Sequence, residues 1–325
     1  YGRAFTITKP HANHKSGGVV ETDPSPISTG TDKFRLRAED DGTLSSTELN
    51  GTIKHRTLPI ANVMAYGAVG DGVTDDSDAF LAAIAAGAGE TFVPIGTFLI
   101  SESLFLTYGQ SIVGASKTGS VIEMATDNIP IIVCNGHSMQ VSNLKLRYSN
   151  QQENTDTHAI AISLGHTSAG DAEGGCHEST FSHLIIEKAY NGFALPVWAG
   201  TPFAFGCVFD DIRILDHAEF AVRIEPAGGE PTTLTFRNVY ALGQANWSYP
   251  TNTTPKGFYF DDCAEIVLDN CSVDWCQDDV VHLDSCDMVT ISSLHIESCR
   301  VKTNNRGLLY MVNSPNVFAG GLFFY

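Results

Sequence analysis

The sequence predicts an all-β chain wound as a parallel β-solenoid, and three observations carry that prediction. First, the stretch Asp261–Ile296 repeats itself. Shifted by 23 residues, Asp261 falls on Asp284, Cys263 on Cys286, Val273 on Ile296, Asp274 on Glu297 and Cys276 on Cys299. A period this short suits one β coil and is too short for a helical hairpin. Second, a polar residue followed by an apolar anchor recurs along the chain. The pairs are Asn143-Leu144, His183-Leu184, Asp211-Ile212, Asn238-Val239, Asn270-Cys271, Ser293-Leu294 and Gly321-Leu322. Small polar residues and glycine tolerate the left-handed backbone region, so each pair marks a repeated bend with its anchor inside. Third, a short strand follows each of the first six anchors: HAIAISL, GFALPV, FAVRIE, GFYFDD, VVHLDS and GLLYMV. The uneven spacing of the anchors places the length differences in loops, which commonly build a binding face.

Taken in order, residues 1–60 read as an extended N-terminal arm with one small strand unit, DKFRLRA, which serves either as a flexible lead or as a docking segment. The opening YGRAFTITKPHANHK holds no apolar stretch of the kind a secretory leader needs. Residues 61–325 form the solenoid. Thr74 is expected to cap a helix whose first turn holds Asp75, Asp76 and Asp78, which the positive end of the helix dipole favours. That helix would cover the open first coil. Insertions at 150–179 and 243–256 interrupt the coils, and the second carries Trp247, an aromatic suited to sugar stacking. The final GGLFFY would leave a bare strand edge, so further coils or a neighbouring chain are expected over it.

The net charge is −18, and residues 1–60 are almost neutral, so the solenoid carries all of the negative excess. That excludes nucleic acid as the main partner, since phosphate binding needs Lys and Arg. Charged residues are 17% and apolar ones 43%, which excludes a disordered chain. Apolar runs stay below the roughly 18 residues of a membrane span, so no membrane insertion is expected. The eight cysteines show no zinc spacing, and five of them fall between 263 and 299, where they read as columns of free, packed thiols. No cofactor and no metal is expected.

Residues 62–114 contain GAVGDGVTDDSDAFLAAI, FVPIGTFLIS and Ile112-Val113-Gly114 in that order. This stretch resembles the opening of the pectate-lyase-like β-helix superfamily, in its pectate lyase 3 branch, which includes phage tailspikes and polysaccharide depolymerases. The resemblance implies a right-handed single-stranded parallel β-helix and, as in tailspikes, a homotrimer. The run GFYFDDCAEIVLDNCSVDWCQDDVVHL further resembles the coil of polygalacturonase-type glycoside hydrolases, which places Asp278 and Asp279 on that family's catalytic pair. Two departures accompany it: Lys256 stands where that family has Asp before Gly257, and Arg306 where it has His before Gly307.

The residues themselves point to carboxylate chemistry. Strand alternation turns Phe258, Phe260, Val281 and Leu283 inward and Tyr259, Asp261, His282 and Asp284 outward. Glu225, Asp261 and Asp284 then share a column about 5 Å per coil, close enough for like charge to raise one pKa. Glu187, Asp274 and Glu297 form a second column. The candidate catalytic residues are Asp278, Asp279, Asp261 and Asp284. Glu225, Tyr259, His282, Trp247 and Arg306 are candidate substrate-binding residues. The leading functional expectation is a phage tailspike-like protein that binds and depolymerises bacterial surface polysaccharide, by hydrolysis rather than elimination. The alternatives are a non-enzymatic structural or receptor-binding appendage of the virion and a secreted pectin-type hydrolase or lyase.

Overall fold

The computed structural model describes residues 19–21, 35–38, 44–47, 53–56, 60–86, 89–165, 175–195, 203–226, 228–243, 252–301 and 307–325. Within the first sixty residues, four short strands (Val19–Glu21, Arg35–Ala38, Leu44–Thr47 and Ile53–Arg56) form an antiparallel sheet paired in chain order. The single strand unit expected there is its second member.

From Ile60 onward the chain winds into a right-handed parallel β-solenoid of about 8 turns. Each full coil has three flat faces. Face A and face B are continuous through a bend, and face C is a separate sheet of eight parallel strands. The bend is where the sequence reading located it. Asn143, His183, Asp211, Asn238, Asn270 and Ser293 have φ of 55, 54, 51, 53, 51 and 56°, and Gly321 has 65°. A left-handed residue costs most side chains roughly 1–2 kcal/mol, which Asn and Asp reduce by local hydrogen bonding. The polar bends also bond along the stack. Asn270 Nδ2 donates to Asn238 Oδ1 (2.7 Å), and Asn238 Nδ2 donates to Asp210 Oδ1 (2.8 Å).

The anchors after the bends are interior. Leu144 pairs with Leu184, Leu184 with Ile212, and Ile212 with Val239. All three pairs, and Cys271 and Leu294 after them, are at most 1% exposed. A second interior column on face A stacks Phe181, Phe209 and Phe236, with ring centroids 5.0 and 4.3 Å apart and planes within 16 and 8° of parallel. The 23-residue repeat is equally literal: Asp261 pairs with Asp284, Val273 with Ile296, and Asp274 with Glu297. All eight cysteines are free thiols.

The helix runs Ser77–Ala85, later than expected, and Thr74 does not cap it. Thr74 belongs to the strand Asp71–Asp75, and its amide and hydroxyl both bond Asp71. Asp76 is the cap residue, but its carboxylate turns back to accept the amides of Val69 (2.7 Å) and Gly70 (3.1 Å). This bond holds the preceding glycine turn closed. Gly70, at φ 70°, lies where a Cβ would sit 2.8 Å from the Phe98 ring, so the turn requires glycine. Phe80, Ala83 and Ile84 of the helix join the core at the first coil, which leaves that end covered. Among the described residues no helix is long and apolar enough to cross a membrane.

Candidate functional site on face C

Face C holds the candidate residues, set outside a column of core side chains. Phe258, Phe260, Val281 and Leu283 are fully buried in the core. Their outward neighbours line up across coils: Arg223 pairs with Tyr259, Tyr259 with His282, and His282 with Tyr310. The His282 ring lies edge-on between Tyr259 (4.6 Å) and Tyr310 (4.9 Å). It faces away from the core as expected, yet the two tyrosines and Asp279 leave it only 5% exposed. Asp279 Oδ2 lies 3.4 Å from His282 Nδ1.

Beside this aromatic row runs the carboxylate column. Asp261 and Asp284 are register partners, and Glu225 precedes them one coil earlier, following the pair Ile224 and Phe260. The Asp261 carboxyl is raised above its ordinary range, first by burial, then by the charges of Asp284 and Glu225. Glu225 is held in place by Arg223, whose NH2 lies 2.6 Å from Oε2. Arg223 also bridges to Glu219 (3.1 Å), where Lys256 Nζ pairs as well (3.5 Å). Lys256, the departure from the polygalacturonase pattern, is thus part of an ion network and lies 4.7 Å over the Phe220 ring. Burial and the charges of Glu225 and Asp261 push the Tyr259 phenol up to about 12. Near neutrality it is a hydrogen-bond donor and a stacking surface, and it is not a base.

Asp278 and Asp279, the candidate catalytic pair, do not lie on the open surface of face C. Asp278 is fully buried, with φ 60°, and Asp279 is 6% exposed. The reason lies in the backbone of this turn, which is pinned to the coils on both sides. Gln277 N donates to Pro255 O, Asp278 N to Arg300 O, and Gly257 N to Asp279 O. Strand alternation does not extend through such a turn, so two adjacent aspartates can both be enclosed. The carboxylates that reach the surface of face C, each half-buried, are Asp261, Asp284 and Glu225. Sequence reasoning missed Arg223 and Tyr310, although each occupies in its own strand the position that Tyr259 and His282 hold in theirs. Trp247 and Arg306 lie outside the described residues. The two insertions meet at their described ends: Asn154 N donates to Asn252 O (2.8 Å) and Asn252 Nδ2 to Glu153 Oε2 (3.1 Å).

One buried histidine ties this site to its support. His217 Nε2 lies 2.7 Å from the carbonyl of Lys256, and burial lowers its pKa to about 4. The sign follows from that depression. Between about 6.5 and about 4 the unfolded chain binds the proton and the folded chain does not, so stability falls as pH falls through this window. A shift of this size corresponds to about 3 kcal/mol. Urea unfolding at pH 7 and pH 4 should show that loss in the native protein and a much smaller one in His217→Gln. Equal losses would mean that other groups control acid unfolding.

The described geometry and the comparisons agree on the fold. Residues 60–181 match the family model for rhamnogalacturonase A/epimerase, pectate lyase-like. Over those residues the chain resembles that family, and the described solenoid is a parallel β-helix. This β-helix is 31% identical over 130 residues to the preneck appendage protein of Bacillus phage PZA, covering 40% of the chain and 14% of that protein. It superposes on the pre-mature gene product 12 of bacteriophage phi29 with a TM-score of 0.59 at 16% identity, covering 80% of this chain and 36% of the other. The phiAB6 tailspike, solved with oligosaccharides of Acinetobacter baumannii surface polysaccharide, gives a TM-score of 0.53 at 15% identity, over 89% and 57% of the two chains. The β-helix therefore spans a small part of the length of its phage relatives.

Proposed function

We propose that the β-helix is the glycan-handling rod of a phage tail appendage, which binds bacterial surface polysaccharide and cleaves its glycosidic bonds on face C. The observation that carries this reading is the Asp261 carboxyl, held toward its protonated form between Glu225 and Asp284 beside Tyr259. A protonated carboxylic acid next to an ionised one is the pair that glycoside hydrolysis needs. In this reading Asp261 donates its proton to the leaving oxygen as the C–O bond breaks, and Asp284 attacks the sugar carbon or activates water. Carboxylates on neighbouring strands, about 4.8 Å apart at the backbone, fit the roughly 5–5.5 Å separation of retaining enzymes better than the wider inverting one. Glu225, fixed by Arg223, keeps the field negative, and Tyr259 offers a ring and a donor to the sugar. Likeness to the appendage proteins supports a virion-tail location, with residues 1–60 as the docking segment.

The test is the release of reducing ends from purified host capsule or O-antigen. Binding of the glycan without release would assign the rod to receptor recognition alone, the second reading. Tail appendages of this architecture are expected to be homotrimers, so light scattering on the full-length protein should give three chains; a monomer would count against that assembly.

A further inference from the structure

The second carboxylate column, on face B, is the one place where the topology assembles ligands that the sequence keeps apart. We infer that Asp274, His295 and Glu297 form a divalent transition-metal site on the outward surface of face B, remote in sequence register from the face C carboxylates. Asp274 and Glu297 are direct partners on adjacent strands. His295 precedes Glu297 by two residues in the strand His295–Glu297, so both side chains leave the same side of the sheet. One ligand atom from each of the three lies within 4.8 Å of the others, and His295 Nε2 is 3.2 Å from Glu297 Oε2.

Two further observations distinguish this triad from a chance group of surface acids. Its members are oriented from outside, as metal ligands usually are. Ser272 Oγ donates to Asp274 Oδ1 (3.0 Å), and the Tyr325 ring stacks on His295 at 5.2 Å and 16°. The Tyr240 phenol is hydrogen-bonded to Asp274. The two carboxylates are also uncompensated: among the described residues neither has a Lys or Arg within ion-pair distance.

The donor set selects the ion class. One imidazole nitrogen with two carboxylate oxygens suits Zn²⁺, Co²⁺ or Mn²⁺, whereas Ca²⁺ prefers oxygen alone. Ligand atoms around a tetrahedral ion with bonds of about 2.0–2.1 Å sit roughly 3.3 Å apart, so small rotamer changes close the triad. No thiolate joins it, because Cys299 Sγ turns to the carbonyls of Val273 and Glu297. His295 and Glu297 are 39 and 48% exposed, which leaves the remaining coordination positions open to water or to an anionic oxygen of a ligand.

The experiment uses the whole chain, stripped with chelator and titrated with Co²⁺ and separately with Zn²⁺ and Ca²⁺. We expect one equivalent of Co²⁺ per chain, with visible d–d bands and no thiolate charge-transfer band, and competition by Zn²⁺ but not by Ca²⁺. His295→Gln, Glu297→Gln and Asp274→Asn should each weaken Co²⁺ binding at least tenfold, while His183→Gln on the bend column leaves it unchanged. Circular dichroism of each variant confirms the fold. Absent saturable binding, a thiolate band, equal displacement by Ca²⁺, or binding untouched in His295→Gln and Glu297→Gln would each overturn the assignment.

Discussion

Asp261→Asn is expected to lower glycan cleavage by about 10²-fold or more while leaving the fold intact. Asparagine keeps the shape of the side chain but cannot deliver a proton to a leaving oxygen. The site then loses the one carboxyl whose pKa burial and the charges of Asp284 and Glu225 raise. Wild-type turnover should fall on the alkaline side, as Asp261 gives up its proton. The same substitution has a second, opposite signature in stability. The folded pKa of Asp261 lies above the unfolded value of 3.8, so the folded state holds more protons in that window, and stability declines as pH rises through it. Removing the charge should therefore leave the neutral-pH melting point unchanged or slightly higher. A loss of activity with a retained melting point separates a chemical role from a structural one. Unchanged turnover in both Asp261→Asn and Asp284→Asn would place the chemistry elsewhere, if any exists.

Phe209→Ala should cost about 3–5 kcal/mol. The ring is fully buried between Phe181 and Phe236 and meets Phe193 edge-on at 5.0 Å. Its coil cannot collapse into the void, because the strands on both sides are fixed at about 4.8 Å by their ladder hydrogen bonds. The cavity term is thus added nearly in full to the lost transfer free energy. A solenoid is stabilised by nearest-neighbour coil interfaces, so the coils around 181–236 should open first. Urea unfolding measures the cost, and hydrogen exchange locates it. A loss below about 1 kcal/mol would show that the phenylalanine stack is replaceable packing.

Much of the architecture was legible because a β-solenoid writes its periodicity into local chemistry. Asn143, Asp211, Asn238 and Asn270 could be read as bends since few other side chains accept that backbone. Alternation in GFYFDD and VVHLDS placed Tyr259, Asp261, His282 and Asp284 outward and their neighbours inward. The constant 23-residue step between Asp261 and Asp284 then fixed which of them share a column. The sequence by itself determined these things because each depends on a residue and its immediate neighbours.

Tertiary structure decided what depends on neighbouring coils. The helix begins at Ser77, since Asp71 engages Thr74 and Asp76 is drawn to the amides of Val69 and Gly70. Asp278 is enclosed, since its turn is tied to Pro255 and Arg300 on the adjoining coils. Arg223 lies over Tyr259 because loops of unequal length still return each strand to one register. Asp274, His295 and Glu297 meet for the same reason. The contacts between coils join residues whose separation along the chain is set by how much length a loop absorbs, and no local pattern encodes that quantity.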